Sequence, residues 1–86
     1  MNIYLRDLKP YDNIIDIRDN YSYSLEHVYN AKNIPMEELL NNYSSYLDKD
    51  KTYYIYCKSG VRSSKTCALL RMLGYNVINV IDGYGK

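Results

Sequence analysis

The sequence TYYIYCKSGVRS, Thr52 to Ser63, runs from an apolar segment into a short polar loop that begins at Cys57. Residues 52–57 are rich in tyrosine, isoleucine and threonine, which predicts a central strand. A helical pattern follows over residues 64–73, so Cys57 stands between a strand and the start of a helix. A cysteine at that place faces unpaired backbone N–H groups and the positive end of the helix dipole, and both favour the thiolate.

The residues after Cys57 favour the same chemistry. Lys58 and Arg62 bring positive charge close to the sulfur, which lowers the pKa of a thiol. Gly60 lets the loop curl where a side chain would block it. A loop of this kind is able to hold a thiolate, or a tetrahedral anionic group of sulfur or phosphorus, against its backbone amides.

Outside this stretch, short apolar runs alternate with helical patterns. We predict strands over residues 13–17, 33–34, 52–57 and 76–81, and helices over residues 22–28, 36–47 and 64–73. The second helix would bury a face of Met36, Leu39, Leu40, Tyr43 and Leu47; the third would bury Ala68, Leu69, Met72 and Leu73 and end at Gly74. The alternation predicts an α/β fold whose mostly parallel sheet binds ligands beyond the carboxyl ends of its strands, where Cys57 lies.

Length and composition exclude several classes of protein. A chain of 86 residues is expected to form one domain, residues 1–86. A net charge of +1 implies neither nucleic acid nor an anionic membrane as a partner. No segment approaches the run of about 18 apolar residues that spans a bilayer, and the first residues lack a signal-peptide block. Two cysteines favour a reducing compartment, so we expect a soluble cytoplasmic protein.

The loop Cys57–Ser63 resembles the active-site loop of rhodanese-like sulfurtransferases. Other motifs of that family resemble three further segments of this chain. These segments are Asp16-Ile17-Arg18; Tyr23 with His27-Val28 and Ala31-Lys32-Asn33-Ile34-Pro35; and Leu73-Gly74-Tyr75 with Val77 and Asn79. The resemblance covers roughly residues 14–83, which is nearly the whole chain.

The resemblance implies a rhodanese-like three-layer fold, with a small, mostly parallel sheet of about five strands and helices on both faces. It also implies that Cys57 takes sulfur from thiosulfate or a protein persulfide, becomes a persulfide, and passes the outer sulfur to cyanide, a small thiol or a protein. Neither a metal nor an organic cofactor is expected. The backbone amides of Lys58, Ser59, Gly60, Val61, Arg62 and Ser63 would hold the negative charge. Arg62 would bind an oxyanion through its guanidinium, and Lys58 would attract it from the rim.

We expect mainly structural roles for four other residues. Asp16 is expected to accept hydrogen bonds from backbone near the active loop, while Arg18 either makes a nearby ion pair or reaches the pocket rim. His27 is the only histidine and no Cys-x-x-Cys pair is present, so a structural role is expected and a zinc site is not. Cys67 lies about 15 Å along the predicted helix from the loop, too far for a disulfide with Cys57, and is expected to pack in the helix.

Two other functions remain open. A persulfide carrier or interaction module would accept sulfur and deliver it to one protein partner without turnover on small molecules. A cysteine-dependent phosphatase or arsenate reductase would resemble Cys-x5-Arg, but the sixth position after Cys57 is Ser63, and Arg62 comes one residue earlier. The shorter loop suits one added sulfur better than a full phosphate.

The chain departs from the family pattern in three places. Glu26 and Asn30 replace glycines; Asn30 tolerates a positive φ, whereas Glu26 predicts a different local turn. The segment Asp82–Lys86 stands where the family has Gly-Gly and a terminal helix. We expect this difference to leave the pocket more open, or to leave apolar surface for a partner to cover.

Overall fold

A computed structural model describes residues 1–85, and its centre is a five-stranded sheet. The strands are β1 (Asn2–Ile3), β2 (Asn13–Asp16), β3 (Lys32–Asn33), β4 (Thr52–Tyr56) and β5 (Asn76–Val80). Their order is β1-β5-β4-β2-β3, and every neighbouring pair is parallel. The α/β fold with a small parallel sheet is therefore confirmed. Sequence analysis missed β1, because two residues are too short to show a period.

The helices surround the sheet, and their ends differ in part from the prediction. They are a 3₁₀ helix (Leu5–Asp7), α1 (Asn20–Leu25), α2 (Met36–Asn41), α3 (Tyr43–Tyr46) and α4 (Val61–Met72). Helix α1 starts two residues before the predicted position, because the carboxylate of Asp19 accepts a hydrogen bond from the Ser22 amide and caps the helix. The single helix predicted over residues 36–47 is wrong. Asn42 leaves the helical region, with φ −139° and ψ 32°, and separates α2 from α3.

Both faces of the sheet are covered. Side chains alternate along a strand, so Tyr53 and Ile55 of β4 point to one face while Tyr54 and Tyr56 point to the other. The first face packs against α2, α3 and α4, and the predicted apolar residues 36–47 join that core. The second face packs against the 3₁₀ helix, α1 and the segment after β5; its core contains Ile14, Ala31, Tyr56 and Val80.

Helix α4 begins three residues earlier than predicted and buries a different face. Its buried residues are Ser63, Thr66, Cys67 and Leu70. The predicted stripe is wrong: Leu69, Met72 and Leu73 are 50%, 85% and 42% exposed, and Ala68 is exposed as well. The apolar pattern of the sequence does not reveal the buried face, because two of its four residues, Ser63 and Thr66, are polar. The predicted end is confirmed, since Gly74 follows the helix with φ +96°.

The segment after β5 returns to the sheet. The Asp82 carboxylate accepts a hydrogen bond from the Leu5 amide at 2.8 Å. The Tyr84 amide donates to the carbonyls of Cys57 and Lys58, at 2.9 and 3.1 Å. The Tyr84 ring lies edge-on to Tyr56, with 5.6 Å between centroids. Tyr84 thus covers part of the second face, whereas we expected from the sequence either a more open pocket or apolar surface left for a partner to cover. Within residues 1–85, no helix is long and apolar enough to cross a membrane.

Two neighbouring leucines of α4 test this packing. Leu70 is fully buried, so Leu70→Ala is expected to lower the free energy of unfolding by about 2–5 kcal/mol. Leu69→Ala, the same change on the half-exposed side, is expected to cost about 0.5 kcal/mol or less. Urea denaturation of both variants measures the difference. A larger loss for Leu69→Ala would mean that α4 packs through the stripe first predicted from the sequence.

Candidate functional site

The sulfur of Cys57 lies at the end of β4 and at the start of α4. It accepts hydrogen bonds from the backbone amides of Gly60, at 3.2 Å, and Ser63, at 3.3 Å. The Ser63 hydroxyl lies 3.4 Å from the sulfur. Because Ser63 is in the first turn of α4, its amide is one of the donors that have no partner within a helix. The sulfur atom therefore takes the place of a helix cap.

Two glycines allow the loop to close this tightly. Gly60 precedes α4 with φ +91°, and a Cβ there would collide with the Ile81 carbonyl. Gly83 follows β5 with φ +65°, and a Cβ there would collide with the Lys58 carbonyl. The loop is thus packed backbone to backbone against the end of β5, which fixes the direction of its amides.

A buried polar chain continues from the sulfur into the sheet. The Ser63 hydroxyl donates a hydrogen bond to Oδ1 of Asn79, a residue of β5 that is 3% exposed. Nδ2 of Asn79 donates to the Gly60 carbonyl at 3.4 Å. Asn79 therefore contacts the loop at two points, the Ser63 hydroxyl and the Gly60 carbonyl.

These contacts make the two cysteines chemically different. Burial raises the pKa of the Cys57 thiol, but hydrogen bonding with the Ser63 side chain and with the amides of residues 59, 60 and 63 more than offsets this effect, so the pKa lies below its ordinary value. Cys67 is buried among apolar side chains, and burial raises its pKa to about 11. Both thiols are free and buried. Cys57 has the features of a nucleophile, and Cys67 those of a core residue.

Cys57 lines an open cavity of about 390 Å³. The cavity is lined by Ile17, Arg18, Asp19, Ser22, Cys57, Lys58, Ser59, Arg62 and Gly85. Lys58 and Arg62 are exposed at its mouth, whereas Asp19 is the one acidic side chain among these lining residues. This excess of positive charge favours a small anion beside the sulfur.

The predicted loop residues do not all face this cavity. Lys58, Ser59 and Arg62 line it, whereas Gly60 and Ser63 reach the sulfur through their amides. Val61 is 59% exposed and lines a groove on another side of the loop. The side chain of Val61 is therefore not part of the cavity that contains the sulfur.

Arg18 lines the cavity and forms a buried ion pair with Asp16, which is not itself among the lining residues. Nη2 of Arg18 lies 2.8 Å from Oδ2 of Asp16, and their side chains are 8% and 0% exposed. Asp16 also accepts from the Arg18 amide and from the Tyr56 hydroxyl, both at 2.8 Å. The hydrogen bond to Asp16 raises the pKa of Arg18, and burial raises the pKa of Tyr56. Asp16 was expected to accept hydrogen bonds from backbone near the active loop. Among residues 1–85, its one backbone donor is the Arg18 amide, which follows β2 and lies outside the Cys57–Ser63 loop, and its other donors are the side chains of Arg18 and Tyr56.

The neighbouring segment carries the other residues singled out from the sequence. Nδ1 of His27 lies 2.8 Å from the Tyr23 carbonyl, and its ring stacks on Tyr23 outside the cavity lining. Asn30 has φ +68°, in agreement with the positive φ expected of it. Glu26 is extended, and its carbonyl accepts a hydrogen bond from Nη2 of Arg18 at 2.6 Å.

Sequence analysis missed several contributors to the site. Asn79 was noticed only as part of a family motif, although a polar residue among the apolar residues of β5 was a usable signal. Asp19 and Ser22 form a helix-cap pair, which the sequence Asp-x-x-Ser could have indicated. No sequence pattern could have indicated that Gly83 and Tyr84 support the loop, because this support depends on backbone contacts between distant segments.

Several known proteins are similar to this chain. The thiosulfate sulfurtransferase GlpE of Coxiella burnetii is 36% identical over 72 residues, which cover 83% of this chain and 66% of that protein. The tRNA uridine(34) hydroxylase of Erwinia tasmaniensis is 32% identical over 74 residues, which cover 80% of this chain and 21% of the hydroxylase. The crystal structure of a rhodanese-like domain protein from Staphylococcus aureus has 37% sequence identity and a TM-score of 0.77, and the match covers 92% of this chain and 76% of that one.

The match to the family covers more of this chain than any of these three alignments does. The chain spans about two thirds of the Coxiella protein and about a fifth of the hydroxylase. Residues 4–86 match the family described as Rhodanese-like domain. The motifs, the parallel sheet and this match agree, and the chain belongs to the rhodanese-like domain family.

Proposed function

We propose that this chain, as one domain over residues 1–86, is a sulfurtransferase that carries sulfane sulfur as a persulfide of Cys57. The observation that supports this most directly is the convergence of the Gly60 and Ser63 amides on the sulfur, at 3.2 and 3.3 Å. Donors fixed in this way stabilise a negative charge without having to reorient during the reaction. They favour the thiolate before transfer and an anionic persulfide after it.

The reaction has two displacements on sulfur. With thiosulfate, the Cys57 thiolate attacks the outer sulfur, the S–S bond of the donor breaks, and sulfite leaves with the bonding electrons. An acceptor such as cyanide or a thiolate then attacks the outer sulfur of the persulfide, and the Cys57 thiolate leaves. No external oxidant or reductant is consumed, and no general base is needed once the thiol is ionised.

The cavity supplies the binding contacts in this proposal. Arg62 and Lys58 attract the sulfonate oxygens of thiosulfate, and Arg62 is suited to two parallel hydrogen bonds. The Ser59 side chain lines the same wall. Arg18 is held by Asp16 and by the Glu26 carbonyl, so it shapes the wall and leaves anion binding mainly to Arg62 and Lys58. The name of the Coxiella relative supports thiosulfate as the donor class, and a protein persulfide is the other donor that we propose.

A second candidate function is that of a persulfide carrier for a protein partner. It is favoured by the match to about a fifth of the Erwinia hydroxylase, since a similar domain there forms part of a larger protein. A thiosulfate:cyanide assay separates the two functions. Sustained turnover supports the enzyme, whereas a stable persulfide on Cys57 without turnover supports the carrier.

Mass spectrometry after incubation with thiosulfate is the direct test of the proposed intermediate. We expect the mass of one added sulfur atom on the peptide that contains Cys57. The Cys57→Ser variant should lack this product, and Cys67→Ala should keep it, because Cys67 belongs to the core. A product on Cys67, or none on either cysteine with thiosulfate and with a protein persulfide, would contradict the proposal.

The two thiols should also differ in their response to pH. Because hydrogen bonds lower the pKa of Cys57, its alkylation rate should reach half of the maximum below the value of about 8.5 that is typical of free cysteine. Cys67, with a pKa raised to about 11, should stay unmodified over the same range. Peptide mapping after timed exposure to iodoacetamide measures both residues in one sample. A half-point for Cys57 at or above the free value would show that its thiolate is not favoured.

Arg62 should matter most for anionic reagents. Arg62→Ala is expected to slow alkylation of Cys57 by iodoacetate about two- to fivefold relative to iodoacetamide, and to raise KM for thiosulfate by a similar factor. Lys65→Ala is the matched control, because it removes one positive charge from the exposed side of α4 outside the cavity lining. Equal effects on both alkylating reagents would remove Arg62 from the binding role.

A further inference from the structure

We propose that Asn79 is a positioning residue that controls the hydrogen of the Ser63 hydroxyl, and through it the ionisation of Cys57. Asn79 lies on β5 below the loop and is 3% exposed. Its Oδ1 accepts the hydrogen bond of the Ser63 hydroxyl, whose oxygen is also 3.4 Å from the Cys57 sulfur. The effect of Asn79 on the Cys57 thiol is independent of the proposed function, whereas its consequence for catalysis rests on that function.

The Ser63 hydroxyl has one hydrogen and two acceptors within reach. When Cys57 is a neutral thiol, its S–H group points to Ser63 Oγ and the hydroxyl hydrogen goes to Asn79. When Cys57 is a thiolate, the sulfur has no hydrogen and becomes the stronger acceptor, so the hydroxyl turns from Asn79 to the sulfur. The buried Oδ1 atom then loses its hydrogen bond from Ser63, and this cost opposes ionisation. Asn79 therefore keeps the thiolate less stable than the loop alone would make it.

This competition suits a sulfur atom that must both attack and leave. In the persulfide the negative charge lies on the outer sulfur and the inner sulfur is neutral, so the hydroxyl hydrogen is able to return to Asn79. When an acceptor removes the outer sulfur, the thiolate forms again and the hydroxyl turns back to it. One hydrogen moves between two acceptors, and no proton is gained or lost.

The charged and titratable groups around Cys57 come from several elements. They are Asp16 at the end of β2, Arg18 just after β2, Asp19 before α1, Lys58 in the loop, and Arg62 and Cys67 on α4. None of them donates to or accepts from Asn79 or the Ser63 hydroxyl. They remain unchanged in the variants below, so differences between those variants report on the Ser63–Asn79 pair.

The alternative role for Asn79 is purely structural, because its Nδ2 also donates a hydrogen bond to the Gly60 carbonyl. If Asn79 only supported the loop, its loss would loosen the loop amides and raise the pKa of Cys57. If Asn79 is a competing acceptor, its loss would instead free the Ser63 hydroxyl to donate to the sulfur and would lower the pKa of Cys57. The two roles thus predict opposite signs for the same substitution.

The test is the pH dependence of Cys57 alkylation by iodoacetamide in a double-mutant cycle. Asn79→Leu is expected to lower the half-point by about 0.5 to 1 pH unit, and Ser63→Ala to raise it by a similar amount. Adding Asn79→Leu to the Ser63→Ala variant should change nothing further, because the hydroxyl that Asn79 controls is gone. Asn79→Ala is the second variant if Asn79→Leu does not fold, and Asn76→Ala is a control on the exposed part of β5.

The outcomes are distinct. A half-point that rises or stays unchanged in Asn79→Leu, or that shifts equally with and without the Ser63 hydroxyl, overturns the role of Asn79. Failure of the wild-type protein to form a persulfide would overturn sulfur transfer, and the alkylation series would still give its answer about Asn79.

Discussion

The site depends on two backbone amides at the start of α4 that point to the sulfur of Cys57. A thiol that is 4% exposed would ordinarily resist ionisation, because burial removes the water that stabilises the charge. The amides of Gly60 and Ser63 replace that water with fixed donors at 3.2 and 3.3 Å. The same atom is therefore buried in the protein and still chemically available at the floor of a cavity.

The amides keep their direction because the loop is packed against the end of β5. Because Gly60 and Gly83 have no Cβ, two backbone segments approach more closely than any side chain would allow. Hydrogen bonds from the Tyr84 amide to the carbonyls of Cys57 and Lys58 join the same two segments. Strand pairing in the parallel sheet, with β5 directly beside β4, is what brings them together.

The part of the cavity wall formed by Arg18 depends on a different kind of interaction. Asp16 and Arg18 are both almost inaccessible to water, and two buried charges are tolerated only when they are paired and fully hydrogen-bonded. The Tyr56 hydroxyl and the Glu26 carbonyl complete their hydrogen bonds. This arrangement fixes the wall of the cavity and leaves Lys58 and Arg62 as its exposed cations.

The sequence alone determined the alternation of strands and helices, the place of Cys57 between β4 and α4, and the family motifs, because these depend on residue type and short-range order. It did not determine the break at Asn42, the buried face of α4, or the partners of Asp16 and Ser63. Those features depend on which distant segments meet. Polar Ser63 is buried because Asn79 and Cys57 lie beside it, and Leu69 and Met72 of α4 are exposed because the sheet lies on the other side of the helix. Local patterns carry no record of such contacts, because they form only when segments far apart in the chain come together in the fold.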